Sequence, residues 1–237
     1  NSFEILTDIK LLELSDFSNA LLKQLLVTAP GTFHHSIMVG ALAESGAEAI
    51  GANAIFARVA SYYHDIGKMK RPEFFVENQR DGKNIHNTIK PSLSALIITS
   101  HTKDGYIMGK QNKLPKEILD IILCHHGTTL VQFFYYKSLE KGEYVLENDF
   151  RYSGPKPKSK EAGIIMLADT IEAAVRVSED KSREGIENLI RYLIKYKLDD
   201  NQMSDSELTL GEIEKVIQAF LNTLQGAYHN RIKYPSR

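Results

Sequence analysis

Tyr62-Tyr63-His64-Asp65-Ile66-Gly67-Lys68 ends an apolar run that begins at Ile55, and it places an imidazole beside a carboxylate. The run is apolar on nearly all sides, which predicts a buried central helix. Gly67 is expected to close that helix in the left-handed conformation. A buried carboxylate is costly unless it is paired or binds a metal. A lone His-Asp pair is explained more simply by a core histidine and a helix-end aspartate, so its interpretation depends on the surrounding donors.

Similar donors recur along the chain, each within or at the end of an apolar helical run. They are His35, His101, the doublet His125-His126, and Asp169. Each of them alone is more simply a core or helix-end residue, but the repetition favours a shared metal site. Imidazole and carboxylate ligands without sulfur indicate iron, manganese, cobalt or zinc, rather than a thiolate zinc site or an all-oxygen calcium or magnesium site.

Helical periodicity continues along most of the chain, which predicts one all-α domain over residues 1–237. Pro30-Gly31 is expected to end one helix, and Thr32 to cap the next. Thr209, with Glu212 three residues later, is typical of a capping box at the start of the final helix. Two segments lack the pattern and are predicted to be irregular loops: 69–91 and 148–160.

Composition restricts the function classes. The 237 residues are 43% apolar and 25% charged, as in ordinary soluble globular proteins. A formal net charge of -1 gives no general attraction to nucleic acid, so no polymeric nucleic acid partner is expected. The single Cys124 excludes a disulfide framework and is typical of a reducing compartment. No apolar run approaches the roughly 20 residues that a membrane-spanning helix needs.

Several motifs together resemble a known family. His35-Ser36, the run from His64 to Lys68, and Asp169 within Leu-Ala-Asp resemble the H…HD…D signature of the HD-domain metallophosphohydrolases. The additional histidines 101, 125 and 126 resemble the binuclear branch of that superfamily. The similarity also covers the loops 74–79, 91–98 and 151–157, and therefore nearly the whole chain. In this pattern the chain looks like the cytosolic domain of the seven-transmembrane HD receptors.

The details distinguish this chain from the cyclic di-GMP hydrolases of the superfamily, which carry His-His-Glu and Gly-Tyr-Pro. Here Gly127 follows the histidine doublet, and Ile107 follows Gly105-Tyr106. One departure from the receptor pattern is Asn84-Ile85-His86-Asn87, where Pro and Asp are expected around the histidine. The departure leaves the role of His86 open.

The resemblance implies an all-α HD-domain helical bundle with a buried binuclear site that holds two transition-metal ions, iron or manganese. By position, one ion would be held by His35, His64, Asp65 and Asp169, and the other by Asp65, His101, His125 and His126. Asp65 would therefore bridge the ions. Only the following Ser36 selects His35 over its neighbour His34, which is left as structural or outer-shell. Lys68 would act on a phosphate or a carboxylate, and Tyr152 is a candidate for stacking on a base.

The resemblance implies metal-dependent hydrolysis of cyclic di-AMP to linear 5′-pApA. Two close metal ions would lower the pKa of a bridging water and so supply hydroxide at neutral pH. Two alternatives stay open on the residues alone: a mononuclear nucleotidase or alarmone hydrolase, and a non-catalytic cyclic-dinucleotide sensor. A di-iron oxygenase on the same fold is a third. The chain starts at Asn1, not at methionine, and we expect it to be joined to a membrane segment through residues 1–30. It would lie on the cytoplasmic side of the cell membrane, and a homodimer is compatible with this assignment.

Overall fold

The computed structural model describes residues 6–79 and 84–228. These residues form ten α-helices and contain no β-strand, only an isolated bridge between Leu130 and Arg151. The helices are α1 (Asp8–Ser15), α2 (Ala20–Thr28), α3 (Pro30–Ile50), α4 (Ala54–Tyr63), α5 (Pro91–Gln111), α6 (Lys116–Cys124), α7 (Gln132–Glu140), α8 (Lys160–Val177), α9 (Arg183–Asp199) and α10 (Leu210–Tyr228). The all-α prediction is confirmed.

Helix α3 forms the centre of the bundle and packs against α2, α4, α8 and α10. Small residues allow these close approaches. A Cβ atom built on Gly46 would lie 2.7 Å from the ring of Phe220 in α10, and one built on Gly40 would lie 2.7 Å from Tyr62 in α4. Leu42 and Ala43 are completely buried between these neighbours. The packing therefore fixes α3 and α4, which carry His35 and the His64-Asp65 pair.

The start of α3 differs from the sequence prediction. Pro30 is the first residue of α3 and does not end the preceding helix; α2 already ends at Thr28. Proline suits a first helical position because its φ angle is preset and its missing N–H would be unpaired there anyway. Thr32 consequently lies inside the first turn, and its hydroxyl donates to Glu77 Oε1 at 3.1 Å. It is not a cap.

Other helix ends follow the sequence signals. Asn53 caps α4 by accepting a hydrogen bond from the Phe56 N–H, and Gly51 ends α3 with a φ of 71°. The capping box is confirmed: Thr209 Oγ1 accepts from the Glu212 N–H at 3.2 Å, and Glu212 Oε2 accepts from the Thr209 N–H at 2.9 Å.

The segment between α4 and α5 is irregular, as predicted, but it contains short 3-10 helices in its described parts. They are Ile66–Lys70, Pro72–Phe74, Val76–Asn78 and Ile85–Asn87. The first packs along α5, and so the backbone after Asp65 lies directly against the helix that carries His101. Among the described residues, no helix is both long and apolar enough to cross a membrane.

Candidate metal centre

The position of Asp65 depends on a close contact between Gly67 and α5. A Cβ atom at residue 67 would lie 1.9 Å from the backbone oxygen of His101, so only glycine permits this approach. The prediction that Gly67 closes α4 with a left-handed conformation is wrong, because Gly67 lies in a 3-10 helix and is not among the positive-φ glycines. Glycine is required here for space, and the contact brings Asp65 next to His101.

Two groups of potential ligands meet at Asp65. One consists of His35, His64, Asp65 and Asp169, and the other of Asp65, His101, His125 and His126. Within each group, one ligand atom from each residue lies within 4.8 Å of the others. These are the two sets implied by the sequence resemblance, and every predicted metal ligand is in its expected group.

The shortest contacts show that Asp65 faces both groups. His64 Nε2 lies 3.2 Å from Asp65 Oδ2, and His101 Nε2 lies 3.1 Å from the other oxygen, Oδ1. On the far sides, His35 Nε2 lies 3.0 Å from Asp169 Oδ1, and His126 Nδ1 lies 3.5 Å from Asp169 Oδ2. Each carboxylate oxygen of Asp65 therefore serves one group, which is the arrangement that a bridging ligand needs.

Backbone carbonyl groups orient three of the histidines. The Nδ1–H groups of His64 and His101 donate to the carbonyl oxygens of Ser61 and Ile98, both at 2.6 Å. The Nδ1–H of His125 donates to Ile122 O at 2.9 Å. Each bond fixes the proton on Nδ1, which leaves the Nε2 lone pair pointing towards the site, as metal-binding histidines require. The helical segments before each histidine supply these carbonyls.

Glu172 orients His35, and the sequence analysis assigned it no role. Its Oε2 forms a short hydrogen bond with His35 Nδ1, and its side chain is buried. Glu172 lies three residues after Asp169 in α8, so both carboxylates are on one helix face. A second acid at this spacing in so apolar a helix was the signal that could have identified it. Its hydrogen bond makes His35 Nε2 the available ligand atom.

Several buried polar atoms of the site lack hydrogen bonds, as is expected where a cation binds. Asp65 Oδ1 and the Nε2 of His64 are buried and make no hydrogen bond of acceptable geometry, and Asp65 Oδ2 has its ion pair with Lys68 but no such hydrogen bond. A buried unpaired polar atom costs on the order of 1–3 kcal/mol, so native proteins rarely keep several together without a ligand. A donor set of imidazoles and carboxylates fits transition metals. The residues present therefore fit a metal centre.

The electrostatics of the metal-free site are dominated by the buried carboxylates of Asp65 and Asp169, and a metal ion at His64 Nε2 would replace a proton. Burial would raise the pKa of Asp65, but the charges of His64 and Lys68 outweigh burial and hold that pKa well below its usual range. Burial lowers the pKa of His64, but the charges of Asp65 and Asp169 outweigh it and raise the pKa to about 10. Burial lowers the pKa of His125 to about 4, and so this ring is neutral and free to coordinate.

Lys68 acts directly on Asp65. Its Nζ lies 2.7 Å from Asp65 Oδ2 and donates a hydrogen bond to Glu77 Oε1 at 2.9 Å, while the ring of Phe75 lies 5.1 Å away. Glu77 is in turn held by Thr32 of α3. The lysine is therefore fixed between two carboxylates. The phosphate contact suggested for it from the sequence stays a prediction.

Tyr152 forms one wall of the site. Its ring stacks on His126, with centroids 4.2 Å apart and planes at 30°, and it meets the edge of His101 at 5.9 Å. Its backbone N–H donates to Thr129 O at 3.0 Å. Arg151 anchors the same segment through a paired contact with Asp200. Tyr152 is thus held beside the ligands, where a bound base could reach it.

A buried lysine lies near this wall and was missed in the sequence. Lys197 of α9 is only 3% exposed, and its Nζ donates to Thr129 Oγ1 at 2.9 Å. Burial lowers its pKa to about 8, although the charges of Asp169 and Asp200 act in the opposite direction. Its spacing in α9 is that of an amphipathic helix, which gives no signal for a buried charge.

His34 and His86 lie outside both ligand groups. His34 is exposed, and its ring meets the edge of Phe33. His86 is buried, and its Nε2–H donates to Phe74 O at 2.7 Å. His35, not His34, therefore points into the site, as the following serine suggested.

Comparisons with known proteins agree with this geometry. The family model described as HD domain matches residues 32–174. The chain is 50% identical over 233 residues to cyclic-di-AMP phosphodiesterase PgpH of Bacillus subtilis (strain 168), covering 98% of this chain and 33% of that protein. It is 48% identical to the PgpH of Listeria monocytogenes serotype 1/2a (strain 10403S), covering 98% of this chain and 32% of that protein. The chain thus spans about one third of the length of these curated relatives.

A solved structure is also similar. The crystal structure of the L. monocytogenes phosphodiesterase PgpH HD domain in complex with cyclic-di-AMP superposes with a TM-score of 0.87 at 47% identity. The match covers 90% of this chain and 100% of that one. The fold and the arrangement of helices are therefore shared with that domain.

Proposed function

The chain belongs to the HD domain family, and we propose that within this family it is a metal-dependent phosphodiesterase that hydrolyses cyclic di-AMP to linear 5′-pApA. The observation that carries this proposal is the sharing of Asp65 between two four-residue ligand groups. A mononuclear hydrolase needs only the group around His35 and Asp169, which would leave His101, His125 and His126 gathered without purpose.

The residues of the chain perform distinct tasks in this proposal. Two bound metal ions would supply a water of lowered pKa and neutralise charge that develops on the phosphodiester oxygens. Asp65, as the shared ligand, would set the spacing between the two positions. Lys68 keeps Asp65 ionised through its contact at 2.7 Å. Water adds across one P–O3′ bond, which leaves a free 3′-hydroxyl and a terminal 5′-phosphate.

The identity of the substrate is supported by the relatives. Two of them, at 50% and 48% identity, are cyclic-di-AMP phosphodiesterases, and the similar solved domain was crystallised with that nucleotide. We assign Tyr152 to base stacking, because aromatic faces stack on bases and this ring is held beside His126. Lys68 is the second proposed substrate contact, in addition to its role beside Asp65.

Hydrolysis by the purified, metal-loaded chain tests the proposal. Cyclic di-AMP and cyclic di-GMP are incubated separately with the protein and manganese, and products are separated by chromatography. We expect linear 5′-pApA as the main product and slower turnover of the guanine nucleotide. Binding of cyclic di-AMP without any hydrolysis in fully loaded protein would support the sensor alternative. Equal turnover of both nucleotides would remove the specificity.

The metals and the cellular location are finer parts of the same proposal. We assign iron or manganese, because the ligands are imidazoles and carboxylates without sulfur and the resemblance to the binuclear HD branch implies these two metals among those that such ligands bind. We also propose attachment to the cytoplasmic side of a membrane through segments outside this chain, on the basis of the receptor-like sequence pattern, and leave a homodimer open. Elemental analysis of protein isolated from its native host tests the first assignment. Fractionation of cells that express the complete reading frame tests the second.

A further inference from the structure

A cavity of about 460 Å³ lies apart from the metal centre, between α6, the first turn of α8 and the segment that leads from Tyr152 to α8. None of the candidate metal ligands lines it. Binding sites for small molecules usually measure roughly 300–1,000 Å³. The cavity therefore has the size for a compact small molecule and is too small for a docked helix.

The inner surface of the cavity is apolar. Phe56 of α4, Ile121 and Cys124 of α6, Pro155 and Ala162 contribute to it. Cys124 is the single cysteine of the chain, and burial raises the pKa of its thiol to about 12, so it behaves as an apolar lining residue. Such a lining favours a ligand with an aromatic or aliphatic body.

The rim carries charges of both signs, and two of its lysines are free to meet a ligand. Lys116 is paired with Asp120, and Glu161 is engaged by the Asn53 N–H at 2.9 Å. Lys156 and Lys158 also line the cavity, and neither forms a hydrogen bond or ion pair with another described residue. The formal charge of the lining is zero, because Glu117, Asp120 and Glu161 balance its three lysines. The positive charge offered to a ligand is therefore local, at Lys156 and Lys158.

From these features we propose that the cavity binds a small organic anion with an apolar body. The anionic group would lie between Lys156 and Lys158, and the body against the α6 face that contains Cys124. Pro155 and Pro157 restrict the backbone on both sides of Lys156, which lowers the entropy cost of holding the lysines in place.

The walls of the cavity continue into the metal centre. Cys124 directly precedes His125-His126, and Pro155 follows Tyr152 by three residues. Ala162 lies two helical turns before Asp169 on α8. A ligand that binds one arrangement of α6 and the 152–158 segment more tightly than another shifts the population towards that arrangement. The residues that directly follow or precede these segments would shift with them. The proposal therefore includes a role as an effector site: an anion bound in the cavity would alter the setting of His126 and Tyr152.

Binding of a defined probe tests the site without reference to catalysis. The probe is 1-anilinonaphthalene-8-sulfonate, with N-phenyl-1-naphthylamine as its uncharged analogue, and affinity is read by fluorescence. Because each partly exposed charge contributes modestly, Lys156→Gln/Lys158→Gln should weaken the sulfonate by about five- to ten-fold. Lys23→Gln/Lys141→Gln removes the same charge elsewhere and should leave the affinity unchanged. Added salt should weaken binding of the sulfonate and leave binding of the uncharged amine unchanged.

Hydrogen exchange then locates the bound probe and tests the coupling. The sulfonate should protect amides in residues 116–124 and 155–162, and it should change exchange in residues 125–129 and 151–154. Equal affinity in both double variants, tighter binding of the uncharged amine, or protection confined to other surfaces would overturn the site. Protection at the cavity with no change in the 125–129 and 151–154 segments would overturn its role as an effector site.

Discussion

At the scale of single residues, the molecule depends on Asp65. It is 1% exposed, and its two oxygens face different histidine groups. The other members of its two ligand groups come from α3, the end of α4, α5, the residues directly after α6, and α8. The loss of Asp65 and the loss of any one histidine should therefore have unequal consequences.

Replacing Asp65 and His101 separately measures this inequality. Asp65→Ala removes a ligand from both groups, so we expect most of both metals and all measurable turnover to be lost. His101→Ala removes one imidazole from one group and should retain about one ion per chain, with strongly reduced turnover. Metal analysis and hydrolysis rates on the purified variants measure both effects.

Circular dichroism provides the control, because both variants should keep the helical content of the parent protein. A His101→Ala protein with full metal content and normal rate would show that His101 is a helix-end histidine and that the site is mononuclear.

Glu172 should act through His35. Glu172→Gln keeps the size of the side chain but removes the charge that supports the His35 Nδ1–H. Changes of this kind in outer-shell partners lower metal affinity or activity by about 10–100-fold. We expect a loss in that range, measured by competition with a metal chelator, and a smaller loss for Glu172→Asp. Unchanged metal affinity in Glu172→Gln would contradict the role given to this carboxylate.

At the scale of elements, α9 contains a buried lysine whose charge destabilises the folded state. Its Lys197 is buried against Thr129, and burial lowers the pKa from the ordinary 10.5 to about 8. Below pH 8 the lysine is charged in both the folded and the unfolded protein. The folded state therefore carries the free-energy cost of burying that charge. A difference of this size corresponds to on the order of 3 kcal/mol.

Lys197→Met should therefore stabilise the metal-free protein at pH 7, by up to roughly 3 kcal/mol less the lost hydrogen bond to Thr129. Between pH 8 and 10.5 the unfolded chain binds the proton and the folded one does not, so the stability of the parent rises with pH. The advantage of the variant should shrink across that window. Urea denaturation of both proteins at pH 7 and pH 10 measures it, and a constant difference would contradict the assignment.

At the scale of the whole molecule, the bundle is expected to fold without metal. The core between α3, α4, α8 and α10 is extensive and separate from the ligand atoms. Chelation should therefore remove activity and leave the helical content intact. The prediction of one domain over residues 1–237 concerns the entire chain and stays a prediction.

The metal-free bundle should also lose stability as the solution becomes alkaline. The pKa of His64 is raised to about 10 in the folded protein, compared with about 6.5 for an ordinary histidine. Its contribution is complete below pH 6.5 and is lost as pH rises towards 10. Lys197 opposes this trend only above pH 8, so the melting temperature should fall between pH 6.5 and pH 8. A rising melting temperature there would contradict the charge pairing around His64.

The sequence by itself determined the helices and the candidate ligands. Both depend on local patterns: apolar spacing predicts buried helices, and a histidine or aspartate at the end of such a run is recognisable without its partners. Thr209 and Glu212 likewise interact across three residues, so the capping box was visible. Pro30 was misread because proline occurs both after a helix and at its first position, and the choice depends on packing.

The residues alone did not say which donors share a position; the family resemblance implied that grouping, and only the tertiary structure decided what holds the donors there. His35 and Glu172 are 137 residues apart in sequence, and Thr32 and Glu77 are 45 apart. Gly67 is glycine because the His101 backbone approaches it, not because of its own φ angle. Lys197 is buried because the segment that contains Thr129 packs against α9. Such roles arise from contacts between distant segments, and those contacts exist only once the bundle has packed.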